Sequence, residues 1–379
     1  MVGATGFEPA TLCSQSRCAS QAALRPDGSN IIAKGYLSVN ERQSKEHAPA
    51  LLPCGILSMK GEWQMQEKEF KKLVKQVETK KLTKKERAKA SGEFLDLGCG
   101  FTHYEMKQGT APLKSEHPED PNAKWPVVLV HGYSTPYFLY DHIFEGLVKE
   151  GYTVIRYDLL GRGLSERVKS KYAPEDFAVQ LKELIDWLVP DGKCILFGTS
   201  MGGSILAAFC AMYPGIAQKI VLYAPAGMDN FKPPIYMKLA AVPVLGKRIF
   251  KLVMPKSTLA RATDELLHQD EAVKDQFVRD LAFTMQYKGY LAGTHASLVN
   301  TILKTKEATK YYKKMARQHI PTLVIWGTED KTMPIYQIDR MAKVLKDAEF
   351  VIFEGSGHIF LYDEGERALA HTLPFLEEE

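Results

Sequence analysis

The stretch Cys194-Ile195-Leu196-Phe197-Gly198-Thr199-Ser200-Met201-Gly202-Gly203-Ser204-Ile205-Leu206-Ala207-Ala208 decides how the chain is read. Four apolar residues end at Gly198, as in a strand buried on both faces, and an apolar segment of helical length follows over 200–213. Between the two there is room only for a sharp turn. Such a turn drives its central serine into a strained backbone conformation, which small flanking residues make tolerable. The Ser200 hydroxyl then projects at the end of the strand, and the first N–H groups of the helix beneath it face an incoming anion. The pattern G-x-S-x-G alone is weak, since a chain of 379 residues yields roughly 0.1 such match by chance. Its place between a strand and a helix gives it weight.

Outward from this turn the same alternation repeats. Short apolar runs occur at 127–130, 153–157, 220–223, 322–326 and 350–353, and amphipathic segments at 137–150, 174–188, 335–346 and 364–376 separate most of them. Continuously apolar strands alternating with helices predict an α/β fold, a mostly parallel central sheet with helices on both faces. Ahead of them, 92–97 and 102–107 are expected as an antiparallel hairpin at the sheet edge. Between Tyr223 and Thr322 only helical patterns appear, including 235–245, 270–284 and 290–303. That interval reads as a helical cap over the carboxyl ends of the strands, where open α/β sheets bind ligands. The expected boundaries are 1–59 for a leader, 60–90 for a basic amphipathic helix, 91–229 and 306–379 for the core, and 230–305 for the cap.

A serine hydroxyl is a poor nucleophile without a base. Gly355-Ser356-Gly357-His358 follows the last strand and sets His358 on a small-residue loop. Trp326-Gly327-Thr328-Glu329-Asp330 follows the preceding strand and sets Asp330 on the adjacent loop. Serine, aspartate and histidine, in that order and each just past a parallel strand, are the groups that draw a proton off a serine hydroxyl. Ser200, Asp330 and His358 are therefore the candidate catalytic residues, with Glu329 the nearest rival for the acid. The tetrahedral oxyanion also needs donors. His131-Gly132-Tyr133-Ser134 follows the first central strand, where the glycine permits a sharp turn. The expected donors are the backbone N–H groups of Tyr133 and Met201, with His131 tying the loop to the backbone.

With these blocks in place, the chain from about Gly92 onward resembles the serine hydrolases of the α/β-hydrolase superfamily. HGYST at 131–135, YDLLGRGLSE at 157–166, GTSMGG at 198–203, WGTEDKTMP at 326–334 and GSGH at 355–358 carry the likeness, in order. The resemblance implies an α/β-hydrolase fold with a helical cap insertion, a catalytic triad, and neither metal nor cofactor. Families of this fold that open epoxides or displace halide carry Asp where Ser200 stands, which argues against them. Monoacylglycerol and lysophospholipid lipases usually read G-H-S-M-G, whereas Thr199 replaces that histidine here. The carbon–carbon bond hydrolases of aromatic ring cleavage usually read G-H-W, whereas Gly357-His358-Ile359 stands here. The expected activity is that of a lipase-like serine esterase acting on apolar acyl substrates. Ile235, Tyr236, Leu239, Val242, Val244 and Leu245 in the cap, followed by Lys247, Arg248 and Lys251, support an apolar substrate unless that helix packs on the body. The alternatives are a carbon–carbon bond hydrolase and a non-catalytic ligand-binding member of the fold.

Composition agrees with a globular enzyme. With 45% apolar, 25% charged and 10% aromatic residues, low-complexity and wholly disordered classes are excluded. The formal net charge of +4 is unevenly placed, with +1 on 1–59, +6 on 60–90 and −3 on the remaining body. In the basic segment Phe70, Leu73, Val74 and Val77 fall at i, i+3, i+4 and i+7. A lead-in helix resting that stripe on the body is expected, the alternative being weak association with an anionic membrane surface. No aromatic platform or recognition motif accompanies the lysines, so nucleic acid is not an expected partner, and a small-molecule ester or lipid substrate is. The opening GATGFEPATLCSQSRCASQAALRPDG at 3–28 resembles peptides made when a transfer-RNA gene is translated, which implies a start at Met59 or Met65. The other reading is a disordered tail. Six cysteines form no zinc pair or disulfide framework, and no signal segment or membrane span is evident, so a cytoplasmic location is expected. Expression from Met59 is expected to leave activity unchanged, and loss of folding on that truncation would contradict the reading of the leader.

Overall fold

The computed structural model describes Met65, residues 67–378 and the backbone of two short strands ahead of them. In chain order the strands are β1 (Ala23–Leu24), β2 (Ser29–Ile32), β3 (Glu93–Leu97), β4 (Gly100–Lys107), β5 (Val127–Val130), β6 (Val154–Tyr157), β7 (Cys194–Thr199), β8 (Ala217–Tyr223), β9 (Thr322–Gly327) and β10 (Glu349–Phe353). They form one sheet in the order β1-β2-β10-β9-β8-β7-β5-β6-β4-β3. From β10 to β6 every neighbouring pair is parallel. The β3–β4 hairpin lies antiparallel at one edge, as its sequence predicts, and β1 and β2 pair antiparallel at the other. The rest of the expected leader lies outside the described residues.

Every residue of β5, β6, β7 and β9 is buried, so the sheet needs cover on both faces. The helices are α1 (Glu67–Gln76), α2 (Lys84–Arg87), α3 (Asp141–Lys149), α4 (Pro174–Leu188), α5 (Met201–Met212), α6 (Ile235–Ala240), α7 (Leu245–Asp264), α8 (Glu271–Met285), α9 (Tyr290–Ser297), α10 (Thr305–Ala316), α11 (Ile338–Val344), α12 (Phe360–Asp363) and α13 (Gly365–Glu377). Helices α4, α5 and α10 pack as one group, and α3 packs with α13. Strand order reverses at β5, with β6 on one side and β7 on the other. The crevice at such a switch point is where ligands bind in open sheets.

Among the described residues the interval between β8 and β9 contains helices and no strand. The helix expected at 235–245 is broken: α6 stops at Ala240 and α7 begins at Leu245, after Val244 at φ +63°. Helix α7 then runs through Pro255 to Asp264, a length that an internal proline hides in the sequence. The side chains of Ile235, Tyr236, Leu239, Val242, Val244 and Leu245 stand exposed, not folded inward. In α1, Phe70 is buried and Leu73 and Val74, with Val77 just past the helix, pack against the core, while Lys68, Lys71, Lys72 and Lys75 face outward.

The chain enters α5 directly beneath β5, so the second residue of the helix, Gly202, must lack a side chain. A Cβ on Gly202 would overlap the Val130 carbonyl oxygen, and one on Gly198 would lie 2.8 Å from Leu206 Cδ1. Gly202→Ala is expected to cost roughly 1–3 kcal/mol through overpacking, read as a lower urea midpoint at unchanged slope. An unchanged midpoint would contradict this account of the turn.

Candidate active site

Ser200 sits between β7 and α5 at φ +52° and ψ −116°. For a residue with a side chain this conformation costs on the order of 1–3 kcal/mol. Three backbone hydrogen bonds hold it. The Ser200 N–H donates to the Tyr223 carbonyl at 2.9 Å, and its carbonyl accepts from Gly203 at 3.0 Å and Ala226 at 2.8 Å. Thr199 beside it is buried against Tyr140, the two hydroxyls 2.6 Å apart. Because Tyr140 donates onward to the Val130 carbonyl at 3.0 Å, Thr199 is the donor in that pair.

The loop after β5 lies against this turn, a Cβ on Gly132 standing only 3.3 Å from Ser200 Cβ. His131 fixes the loop as expected. Its Nε2 accepts from the Leu159 N–H at 2.9 Å, so Nδ1 carries the proton and donates to the Gly132 carbonyl at 2.9 Å. Burial pushes the His131 pKa down to about 4, which keeps this tautomer neutral. With the Gly132 carbonyl drawn toward His131, the planar trans peptide turns the Tyr133 N–H the opposite way. The buried Arg162 holds the Tyr133 carbonyl through Nε at 3.1 Å, and the Tyr133 hydroxyl donates to the cap at Thr294 O, 2.9 Å away. The backbone N–H groups of Tyr133 and Met201 donate to no other group among the described residues.

Beyond β9 and β10 the other two candidates meet. His358 Nδ1 donates to Asp330 Oδ2 at 2.7 Å, and Asp330 Oδ1 accepts from the N–H groups of Thr332 at 2.9 Å and Met333 at 2.6 Å. The buried Trp326 closes this loop by donating its indole N–H to the Met333 carbonyl at 2.8 Å. Gly327 lets the two loops touch, since any side chain there would overlap the Ser356 carbonyl. Glu329 is exposed and Asp330 buried, so geometry favours Asp330 as the partner. Burial lowers the His358 pKa, but Asp330, with help from Glu265, outweighs it and leaves the imidazole above the ordinary histidine value. His358 Nε2 bonds to no other described residue, and Ser200 and His358 are not joined by a hydrogen bond. Such bonds often tighten only when substrate arrives.

A second buried pair shows what distinguishes this one. His103 Nδ1 lies 2.7 Å from Asp158 Oδ2, but its Nε2 is spent on the Ser91 carbonyl, also at 2.7 Å. Both ring nitrogens therefore donate, and the pair is a buried ion pair that anchors the loop after β6. His358 differs in keeping one nitrogen open.

Sequence reasoning missed Glu265, at the C-terminal end of α7. This buried carboxylate accepts from the His358 backbone N–H at 2.9 Å through Oε2 and from the Thr332 hydroxyl at 2.7 Å through Oε1. It thus clamps the histidine loop and the aspartate loop to the cap. Burial and the Asp330 charge push its pKa up. Glu265 stands 93 residues from His358 and belongs to no local motif, so nothing in its neighbourhood marks it.

A family model described as serine aminopeptidase, S33, matches residues 121–365, which include every candidate residue named above from His131 to His358. Lipase 1 of Psychrobacter immobilis is 25% identical over 244 residues, covering 62% of this chain and 71% of that protein. 2-Hydroxy-6-oxononadienedioate/2-hydroxy-6-oxononatrienedioate hydrolase 1 of Pseudomonas putida is 24% identical over 280 residues, covering 72% and 94%. Among solved structures, an esterase from Exiguobacterium antarcticum superposes with a TM-score of 0.61 at 18% identity, over 76% of this chain and 100% of that one. That likeness speaks for the fold.

Glu265→Ala leaves a buried N–H and a hydroxyl unpaired and is expected to cost about 1–3 kcal/mol by urea denaturation. Glu265→Gln, which retains one acceptor oxygen, should lose less. Equal losses in the two variants would contradict the clamp.

Proposed function

Starting from a chain that belongs to the serine aminopeptidase S33 family of α/β hydrolases, we propose that it cleaves carboxylic esters of apolar acyl chains with Ser200 as nucleophile. The observation that carries this reading is the His358–Asp330 hydrogen bond of 2.7 Å, which fixes the imidazole tautomer and leaves Nε2 as the acceptor. Ser200 Oγ attacks the ester carbonyl while His358 Nε2 takes its proton. Asp330 stabilises the imidazolium so formed, and the amides of Tyr133 and Met201 receive the oxyanion. As the tetrahedral intermediate collapses, His358 returns the proton to the departing alcohol and an acyl-Ser200 remains. Water, deprotonated by the same imidazole, then releases the acid and restores Ser200. No step calls for a metal or cofactor.

The ester assignment draws on the lipase among the relatives. The similarity covering 94% of the Pseudomonas putida hydrolase favours carbon–carbon bond hydrolysis as a second reading, with the same serine and histidine in the same roles. We also propose a cytoplasmic location, in keeping with the free thiols of Cys99, Cys194 and Cys210. Among the described residues no helix is long and apolar enough to cross a membrane.

Turnover of p-nitrophenyl esters of increasing chain length tests the proposal. Activity on medium and long chains, abolished in Ser200→Ala, is expected; acetate as the sole ester cleaved, or turnover surviving Ser200→Ala, contradicts it. A ring-cleavage dienol turned over in place of esters would establish the second reading. Because the base works only when unprotonated, kcat/KM should rise with pH through a midpoint above the ordinary histidine value of about 6.5. Asp330→Asn should lower that midpoint and reduce kcat by about 10⁴-fold. A profile already flat at about pH 5 would contradict the role of His358.

A further inference from the structure

The exposed apolar side chains of the cap have no use in the fold or in the chemistry above. On α7, Leu245, Ile249, Leu252 and Val253 recur at i, i+4, i+7 and i+8 on one outward face, with Leu252 82% and Leu245 58% exposed. The inward face of the same helix is already filled, by the buried Phe250, Leu259 and Ala262. Ile235 and Leu239 of α6, with Val242 just beyond it, continue the outer stripe at i, i+4 and i+7. At the tip between the helices Val244 stands 74% exposed with its backbone at φ +63°, a conformation that a β-branched residue rarely accepts. A contiguous exposed apolar face on a soluble fold marks an interaction surface.

The charge around the face selects the partner. From Phe231 to Thr263 there are seven basic residues and no acidic one. Lys238, Lys247, Arg248, Lys251 and Lys256 are all exposed. Helix α1 packs on α7 and α8 and extends the field with its outward lysines, its Glu67 lying close enough to Lys256 to feel that charge. A second copy of the chain docked on this face through a two-fold axis would set these cations against themselves. A surface of anionic phosphates above an apolar layer complements both features.

We propose that the outer face of the cap, formed by α6, the tip at Val244 and the first half of α7, docks on an anionic lipid bilayer. Leu245, Leu252 and Val244 enter the boundary between headgroups and acyl chains, while the lysines reach the phosphates along their own stems. This assigns insertion to the cap, because the apolar stripe of α1 is spent on packing and only its lysines remain to contribute. Helix α7 runs on from Leu252 to Asp264, and Glu265 just past its end holds the His358 loop, about 20 Å along the axis at 1.5 Å per residue. One helix therefore joins the docked face to the loop that carries His358. Binding to vesicles needs no turnover, so the proposal stands or falls separately from the ester reading.

Flotation of the full chain with vesicles tests it. The protein should float with equimolar phosphatidylcholine and phosphatidylglycerol, stay behind with phosphatidylcholine alone, and be released as ionic strength rises. The double variant Val244→Asp and Leu252→Asp should bind about tenfold or more weakly, with an unchanged thermal midpoint because both side chains already face water. Should that variant not fold, Lys247→Gln with Arg248→Gln and Lys251→Gln keeps the apolar face and is expected to weaken binding to the mixed vesicles. Equal binding by wild type and variants, or no flotation with either vesicle, overturns the proposal. So does a wild-type dimer that Leu252→Asp dissociates, since the face would then be an interface between copies.

Discussion

The structure hangs on the turn that carries the chain from β7 into α5 with Ser200 at φ +52°. A strand buried on both faces and an apolar helix beneath it leave no slack, so the backbone pays with a strained residue and with glycines around it. Val130, Leu206 and Pro225 each come so close that a Cβ on Gly202, Gly198 or Gly203 would meet them. The same closeness brings the loop after β5 against Ser200 and sets the helix N-terminus under it. Strain at this point is offset by hydrogen bonds to β8 and the segment after it, which couples the elbow to the neighbouring strands.

Three buried or half-buried histidines illustrate how surroundings divide one side chain among different tasks. His131, accepting from one amide and donating to one carbonyl, is held neutral by burial and shapes a loop. His103, facing a carboxylate and a carbonyl, is held charged and anchors another loop. His358, with a carboxylate on one nitrogen and the other left open, is poised to cycle between the two states. Such a division is what general acid–base chemistry near neutral pH requires.

Much of this was legible in the sequence because it is local. Apolar runs such as Val127–Val130 and 323–326 read as buried strands, and the glycine-containing loops after β7, β9 and β10 carry Ser200, Asp330 and His358. What escaped was non-local or broke a local rule. Helix α7 carries Pro255, which argues against a helix, and its break from α6 rests on a valine in a disfavoured conformation. Glu265 and Arg162 act through groups far away in the chain, His358 and Tyr133, and no spacing announces such a pairing. The strands β1 and β2 lie in a stretch without periodicity, where only the pairing of β2 to β10 and of β1 to β2 defines them.

The central claim is that Ser200 is the activated nucleophile. Its most direct test is reaction of the purified protein with a fluorophosphonate, followed by peptide mapping by mass spectrometry. The account predicts a single covalent adduct on Ser200, lost when His358 is replaced by Ala. An unlabelled protein, or an adduct carried on another residue, would contradict it.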